Sequence, residues 1–252
     1  MANNLDELKD PVNANGSDVN VILKQIPVKT GAGSVIFEVL LWFCVLPGVI
    51  LLYLSFTGRF VYENNFVFSF AVLVLGFFPP IGFILKKVKA ANYFMGLEQR
   101  IQHDASQLDN YLEQRVQILK NTAVLVQKSV EVDKSVFTEI ASIRTNSKNT
   151  DAERAELDGM LMKESAKLMA VYENYPELKS HETITRAMNE NSYLQKEITA
   201  AREVYNDGVL KWNKEIFIWP TNAIVAAKKG YTTRIPYALD KETKDAARGV
   251  FF

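Results

Sequence analysis

Two long stretches without a charged residue, separated by a short connector, constrain this chain more than any other feature. Residues 39–58 contain no charge over 20 positions, and residues 64–85 contain none over 22. At 1.5 Å per helical residue, each stretch is long enough to cross a hydrocarbon core roughly 30 Å thick. Because the connector has room only for a tight turn, we predict a transmembrane hairpin of antiparallel helices with spans at residues 34–56 and 65–85.

Prolines lie inside both predicted spans. Pro47 precedes Gly48 in the first, and Pro79 precedes Pro80 in the second. Proline removes a backbone hydrogen bond and bends a helix, so kinks are expected. A pore or gate is one interpretation, but prolines are also common in membrane spans for packing reasons. Glu38, one turn inside the first span, is expected to be a boundary residue that reaches the headgroups.

Basic residues predict the orientation of the hairpin. Three lysines follow the second span directly, two lie in the N-terminal segment, and the connector contains only an arginine. These are Lys86, Lys87, Lys89, Lys24, Lys29 and Arg59. Cytoplasmic loops carry an excess of lysine and arginine, so both termini and the domain after the hairpin are predicted to be cytoplasmic.

The rest of the chain divides by composition. Residues 1–33 are rich in turn-forming residues and lack a hydrophobic period, so we expect a disordered leader. The hairpin is assigned to residues 34–86, a helical bundle to residues 87–237 and a tail to residues 238–252. The tail ends in three apolar residues, Val250 to Phe252, which either dock on a groove of the bundle or of a neighbouring copy, or form a frayed terminus.

Helical periodicity dominates the bundle segment. Apolar residues recur at intervals of three, four and seven, beginning Phe94, Leu97, Ile101, Leu108, Leu112, Leu119 and Val126. The first helix is predicted to run to about Arg144, a second from Asp151 to Glu173 and a third from about Lys179 to Phe217. A short helix follows from Thr221 to Gly230. The predicted class is all-α: a transmembrane hairpin, an antiparallel bundle of three long helices and a short C-terminal helix.

Charge and chemistry exclude several classes of function. The chain has 29 basic and 29 acidic residues, so it is not a polycation that binds nucleic acid. Cys44 is the single cysteine, and His103 and His181 are not spaced as metal ligands. No glycine-rich phosphate loop or nucleophile elbow is present. We therefore expect no catalytic residues, cofactor, metal or small-molecule substrate.

The most specific pattern repeats after seven residues near the end of the third helix. Tyr205 and Asn206 are followed by Trp212 and Asn213, with Val209 between them. Two turns of helix therefore place both asparagines on one face. Asparagine in a helix interface needs a hydrogen-bond partner, so this pair is predicted to fix the register of neighbouring helices.

These residues, in this order, resemble the LemA family of bacterial membrane-anchored helical proteins, over roughly Leu97 to Tyr237. The matching positions of the main motif are Arg202, Tyr205, Asn206, Val209, Trp212, Asn213, Phe217 and Pro220, with tryptophan at 212 in place of the usual tyrosine. A corner motif matches at Asn174, Tyr175, Pro176, Leu178 and Lys179, and an earlier motif at Arg115 and Asn121.

The resemblance implies an anchored bundle of long helices in which no catalytic residues are generally assigned. We therefore predict a non-catalytic scaffold or adaptor of the bacterial cell envelope. Its partners are the lipid bilayer and either a second copy of the chain or another membrane-associated protein. The alternative is an accessory component of a channel or transporter that uses the kinked hairpin. An enzyme would need a convergent polar site, which the sequence does not show.

Overall fold

The computed structural model describes residues 25–59, 65–129 and 151–237, and within them the fold is all-α, as predicted. The helices are α1 (Ala32–Phe43), α2 (Leu46–Phe56), α3 (Asn65–Ser129), α4 (Asp151–Asn174), α5 (Glu182–Glu215) and α6 (Thr221–Lys229). A short 3₁₀ helix, Pro176–Ser180, precedes α5. Gly230 ends α6 in the left-handed conformation, with φ of 68°, as its position predicted.

These residues form two compact units. The hairpin unit contains the described residues up to Glu98 together with residues 211–234. The bundle unit contains the described residues between Gln99 and Leu210 together with residues 235–237. This division differs from the expected boundary at residue 86, because the residues of α3 up to Glu98 and the whole of α6 belong to the hairpin unit.

The first predicted span consists of two helices. Pro47 lies in the first turn of α2 and has no N–H to continue the hydrogen bonds of α1. The helix therefore ends at Phe43 and restarts at Leu46. By contrast, α3 continues through Pro79 and Pro80 for its full 65 residues.

Small residues bring the two arms of the hairpin together. Gly48 of α2 contacts the backbone of Leu73 in α3, and no added Cβ fits there. A Cβ at Gly76 would lie 2.5 Å from the carbonyl oxygen of Cys44. Glycine at these points allows a close approach of the backbones, which is how helices commonly pack in lipid.

Large apolar side chains cover the outside of the hairpin. Tyr53, Phe56, Leu75 and Phe78 are each more than 60% exposed. Two apolar helical stretches, Ala32–Phe56 and Phe66–Ser129, are long and apolar enough to cross a membrane. An exposed surface of this kind suits contact with lipid or with another apolar surface.

The end of the predicted leader is ordered, contrary to the expectation for residues 1–33. Ile26 and Val28 are buried, and Pro27 forms an isolated antiparallel bridge with Thr232. The amide of Val28 donates to the carbonyl of Tyr231 at 3.0 Å, and the Thr233 amide donates to the Ile26 carbonyl at 2.9 Å. This pairing is non-local, so a search for periodicity does not detect it. Residues 1–24 lie outside the described residues.

The core of the bundle unit follows the predicted apolar positions. Ile101, Leu108, Leu112, Leu119 and Val126 of α3 are all buried. Buried partners come from α4 and α5, namely Leu161, Leu168, Ile184, Ile198 and Val209. The predicted extension of the first helix to Arg144 and the tail at 238–252 lie outside the described residues.

The helix directions differ from the prediction in one pair. Contacts from Thr185 to Tyr172 and from Asn191 to Ser165 show that α5 is antiparallel to α4. Ile101 beside Gly208 and Arg115 bonded to Asn191 show that α5 is also antiparallel to α3. Helices α3 and α4 therefore run parallel. The prediction of an antiparallel bundle assumed short turns between successive long helices, and the direction of a helix cannot be read from its periodicity.

Candidate functional site

A buried charged cluster of Arg115, Asp158 and Arg202 joins α3, α4 and α5 in the bundle unit. Asp158 of α4 is fully buried, and Arg115 of α3 is 2% exposed. The Arg115 guanidinium donates to Asp158 at 3.2 Å and to the Asn191 amide oxygen at 3.1 Å. Arg202 of α5 donates to the second carboxylate oxygen of Asp158. One carboxylate thus holds two guanidinium groups.

Burial and charge act in opposite directions within this cluster. Burial raises the pKa of Asp158, and the positive charges of Arg202 and Arg115 oppose that rise. Burial also lowers the pKa of Arg115, a change that the charge of Asp158 opposes. Because a buried charge without its partner is costly, the three side chains depend on one another. Each oxygen of the Asp158 carboxylate accepts a hydrogen bond from one of the two arginines.

Tyr237 covers the cluster. Its hydroxyl donates to the carbonyl of Arg154 at 2.9 Å, and the Arg202 guanidinium lies 4.8 Å from its ring centroid. Burial raises the pKa of Tyr237, and the charge of Asp158 adds to the rise. Arg154 forms a bidentate pair with Asp109, with distances of 2.6 and 2.8 Å. Such planar pairs fix orientation as well as adding energy.

Asn206 and Asn213 each bind the backbone of an extended segment, residues 231–237. Asn206 accepts from the Tyr237 amide at 2.7 Å and donates to the Tyr237 carbonyl at 2.9 Å. Asn213 accepts from the Arg234 amide at 2.7 Å and donates to the Arg234 carbonyl at 2.8 Å. Each asparagine side chain therefore bonds both the N–H and the C=O of one residue, as a residue of a neighbouring β-strand would.

The heptad spacing of the asparagines has a simple geometric meaning. Seven helical residues rise about 10.5 Å, and three extended residues span about 10 Å. The spacing along α5 therefore suits residues three apart in an extended chain. The prediction that these asparagines fix the register between helices is wrong, because their partners are main-chain groups of residues 234 and 237.

Trp212, in the hairpin unit, also binds the extended segment. Its indole N–H donates to the Thr232 carbonyl at 2.8 Å. The ring packs against Phe94 and Tyr231, with centroid distances of 5.7 and 5.0 Å. The Arg234 guanidinium lies 4.8 Å from the indole centroid and donates to Glu98 at 2.6 Å. Aromatic packing and hydrogen bonds together hold the extended segment.

The remaining motif residues lie in different surroundings. In the bundle unit, Tyr205 and Val209 are buried in the core, and Asn121 is exposed. Asn174 ends α4, Tyr175 caps the 3₁₀ helix and Pro176 begins it, whereas Lys179 is exposed. Leu178 is fully buried and anchors this corner. In the hairpin unit, Phe217 and Pro220 are half-buried at the turn before α6.

The described residues contain no group of three or more histidine, cysteine, aspartate or glutamate side chains that could hold a metal ion. His103 and His181 are both exposed. A groove of about 270 Å³ lies between α4 and α5 and is lined by Met162, Met169 and Met188 together with polar side chains. Methionine makes such a surface adaptable to different apolar shapes.

Sequence reasoning missed the partners of the recognised motif. Asp158 and Arg154 in α4, and Arg234 and Tyr237 in the extended segment, were not predicted as site residues. A signal for Asp158 was present, because it continues the buried positions Ala155 and Leu161 at helical spacing. A charge in the apolar phase of a helix indicates a buried partner.

The fold and these contacts define an all-α protein in which one long helix contributes both to an apolar hairpin and to a bundle whose helices are linked by buried ion pairs. A family model described as the LemA family matches residues 104–252, which is more than half of the sequence. The chain therefore belongs to the LemA family, as the resemblance indicated. A comparison with curated proteins finds no match. Family membership points to a protein associated with a membrane.

Proposed function

We propose that this chain is a non-catalytic membrane-anchored scaffold or adaptor of the bacterial cell envelope. The observation that supports the proposal is α3, which runs without a break from the apolar hairpin into the charged bundle. The same helix that contributes to the apolar hairpin also contributes to the bundle, so a partner bound by the bundle is tethered to the membrane through α3. Both termini and the bundle are cytoplasmic in this proposal.

The bundle acts by self-association or by docking a membrane-associated protein. Exposed apolar side chains on α4 and α5 offer contact points, among them Met160, Met169 and Val204. Neither a nucleic acid nor a small-molecule substrate is part of the proposal. The charged cluster and the asparagine contacts keep the helices in place and take no part in chemistry.

Photo-crosslinking in intact membranes tests this function. A photoreactive amino acid replaces Met169 in one variant and Val204 in another, and exposed Glu182 serves as the polar control. We expect one of the apolar positions to give a discrete crosslinked band, either a dimer or one reproducible partner. A ladder of random products, or no product at any position in protein shown to be inserted, would contradict the scaffold.

The alternative function is an accessory component of a channel or transporter. Its support is the presence of Pro79 and Pro80 within α3. The close backbone approach at Gly48 and Gly76 favours a packed anchor over a lined pore. Ion flux through purified protein in liposomes discriminates the two, because a packed anchor conducts no ions.

A further inference from the structure

The corner between α5 and α6 exposes two adjacent apolar side chains beside the hairpin. Ile218 is 42% exposed and Trp219 is 57% exposed. The Trp219 ring lies 5.1 Å from the ring of Phe37 in α1, and Phe37 in turn lies 5.4 Å from Phe83 in α3. The corner therefore packs on the ends of both apolar helices and continues their apolar surface.

An ion cluster fixes the depth of this corner. Glu38 follows Phe37 directly, and its carboxylate accepts hydrogen bonds from Lys228 at 2.9 and 3.1 Å. Lys87 lies 3.4 Å from the same carboxylate. Three charged groups are too costly for the hydrocarbon core, so they belong among headgroups and water. Phe37 and its contact Trp219 then lie at the level of the headgroups.

We propose that Ile218 and Trp219 form an interfacial membrane anchor whose occupant is the phospholipid headgroup layer around the hairpin. Tryptophan favours this layer because its ring is apolar and its N–H finds a polar partner there. Lys228 neutralises Glu38 and offers further N–H donors to lipid phosphate. The inference rests on the proposed anchoring of the hairpin in a membrane.

Depth measurement with a spin label tests the anchor. Cys44→Ser removes the single cysteine, and Ile218→Cys then carries a nitroxide on the full chain in liposomes of phosphatidylcholine and phosphatidylglycerol. Two controls have matched exposure of 55%: Ile50→Cys in α2 and Tyr193→Cys in α5. Collisions with oxygen report lipid, and collisions with a soluble nickel chelate report water.

We expect the oxygen-to-nickel collision ratio at position 218 to be several-fold higher than at 193 and lower than at 50. Adding Trp219→Ala is expected to shift the label at 218 toward water. If positions 218 and 193 give equal ratios while position 50 reports lipid, the interfacial anchor is excluded and the proposed membrane anchoring of the hairpin still holds. If position 50 also reports water, the proposed membrane anchoring fails as well.

Discussion

Asp158 contributes more to the stability of the fold than its size suggests, because two arginines pair with its single carboxylate. Asp158→Asn keeps the shape but leaves Arg115 and Arg202 close together without a counter-charge. We expect a loss of about 3–5 kcal/mol in the free energy of unfolding, as for other broken buried ion pairs. Denaturant unfolding of the full chain in micelles, followed by far-UV circular dichroism, measures the change.

Glu182→Gln is the matched control for that substitution. Glu182 pairs with Arg186 on the surface of α5, where the two side chains are 85% and 76% exposed. An exposed pair contributes at most about 1 kcal/mol, so the free energy of unfolding should barely change. Equal stability of Asp158→Asn and the unmodified chain would show that the arginines do not rely on the carboxylate.

The asparagines of α5 permit a site-resolved test. Asn206→Ala removes the partner of the Tyr237 amide, and Asn213→Ala removes that of the Arg234 amide. Each change should cost about 1–3 kcal/mol, because backbone groups lose their partners. Hydrogen exchange should accelerate at Tyr237 in the first variant and at Arg234 in the second.

Exposed Asn121 provides the control for the asparagine test. Asn121→Ala should leave exchange unchanged at both amides, because the side chain lies on the surface. Exchange that accelerates equally at Tyr237 and Arg234 in either α5 variant would contradict independent clamps. It would indicate that the whole extended segment opens as one.

At the scale of single residues, the sequence predicted the residues of the site better than it predicted the residues that they contact. Arg115, Arg202, Asn206 and Asn213 were recognised from the family pattern, and all four make specific hydrogen bonds in the structure. Their partners lie 31 residues away for Asn206 and 43 away for Arg115. Contacts at that separation depend on the packing of whole helices and leave no local pattern.

At the scale of elements, the close packing of the hairpin depends on two glycines. Gly48→Ala and Gly76→Ala each place a Cβ against backbone of the opposite arm. Overpacking of this kind typically costs about 1–3 kcal/mol, so both variants should unfold at lower temperature in micelles. Gly82→Ala is the control, because nothing lies within 4 Å of a Cβ there.

If Gly82→Ala lowered the thermal unfolding midpoint as much as Gly48→Ala does, the loss of stability would come from a change in the flexibility of the helix and not from contact with the opposite arm. Alanine has a higher helix propensity than glycine, so Gly82→Ala should be neutral or slightly stabilising. The comparison therefore separates a steric effect of the opposite helix from an effect on α3 alone.

Helix limits were predictable where a proline or glycine stops a helix. Gly230 ends α6 as predicted, and α4 covers Asp151–Asn174 against a predicted end at Glu173. The break at Cys44 was expected only as a kink, although Pro47 accounts for it. The extended segments at Ile26 and Thr232 escaped prediction because their pairing joins residues that are far apart in the sequence and leaves no local pattern.

At the scale of the whole molecule, the hairpin predicts which positions face each side of the membrane. In the Cys44→Ser background, Arg59→Cys in the connector should react with an impermeant maleimide added to intact spheroplasts. Lys229→Cys should react only after lysis. Both side chains are exposed, so reactivity reports the side of the membrane and not burial. Labelling of position 229 in intact spheroplasts would reverse the proposed orientation.

The bond between the Ile26 amide and the Thr233 hydroxyl, at 2.7 Å, joins residues 207 positions apart. Ribosomes add about 5–20 residues per second, so roughly 10–40 s separate the synthesis of its two ends. During that interval the residues of α1, α2 and the first part of α3 are already synthesised, while Ile26 and Val28 still lack the segment with which they pair in the structure. Assembly of this unit is therefore completed only after residue 233 has been synthesised, and truncation before residue 233 would remove the partner of the Ile26 amide.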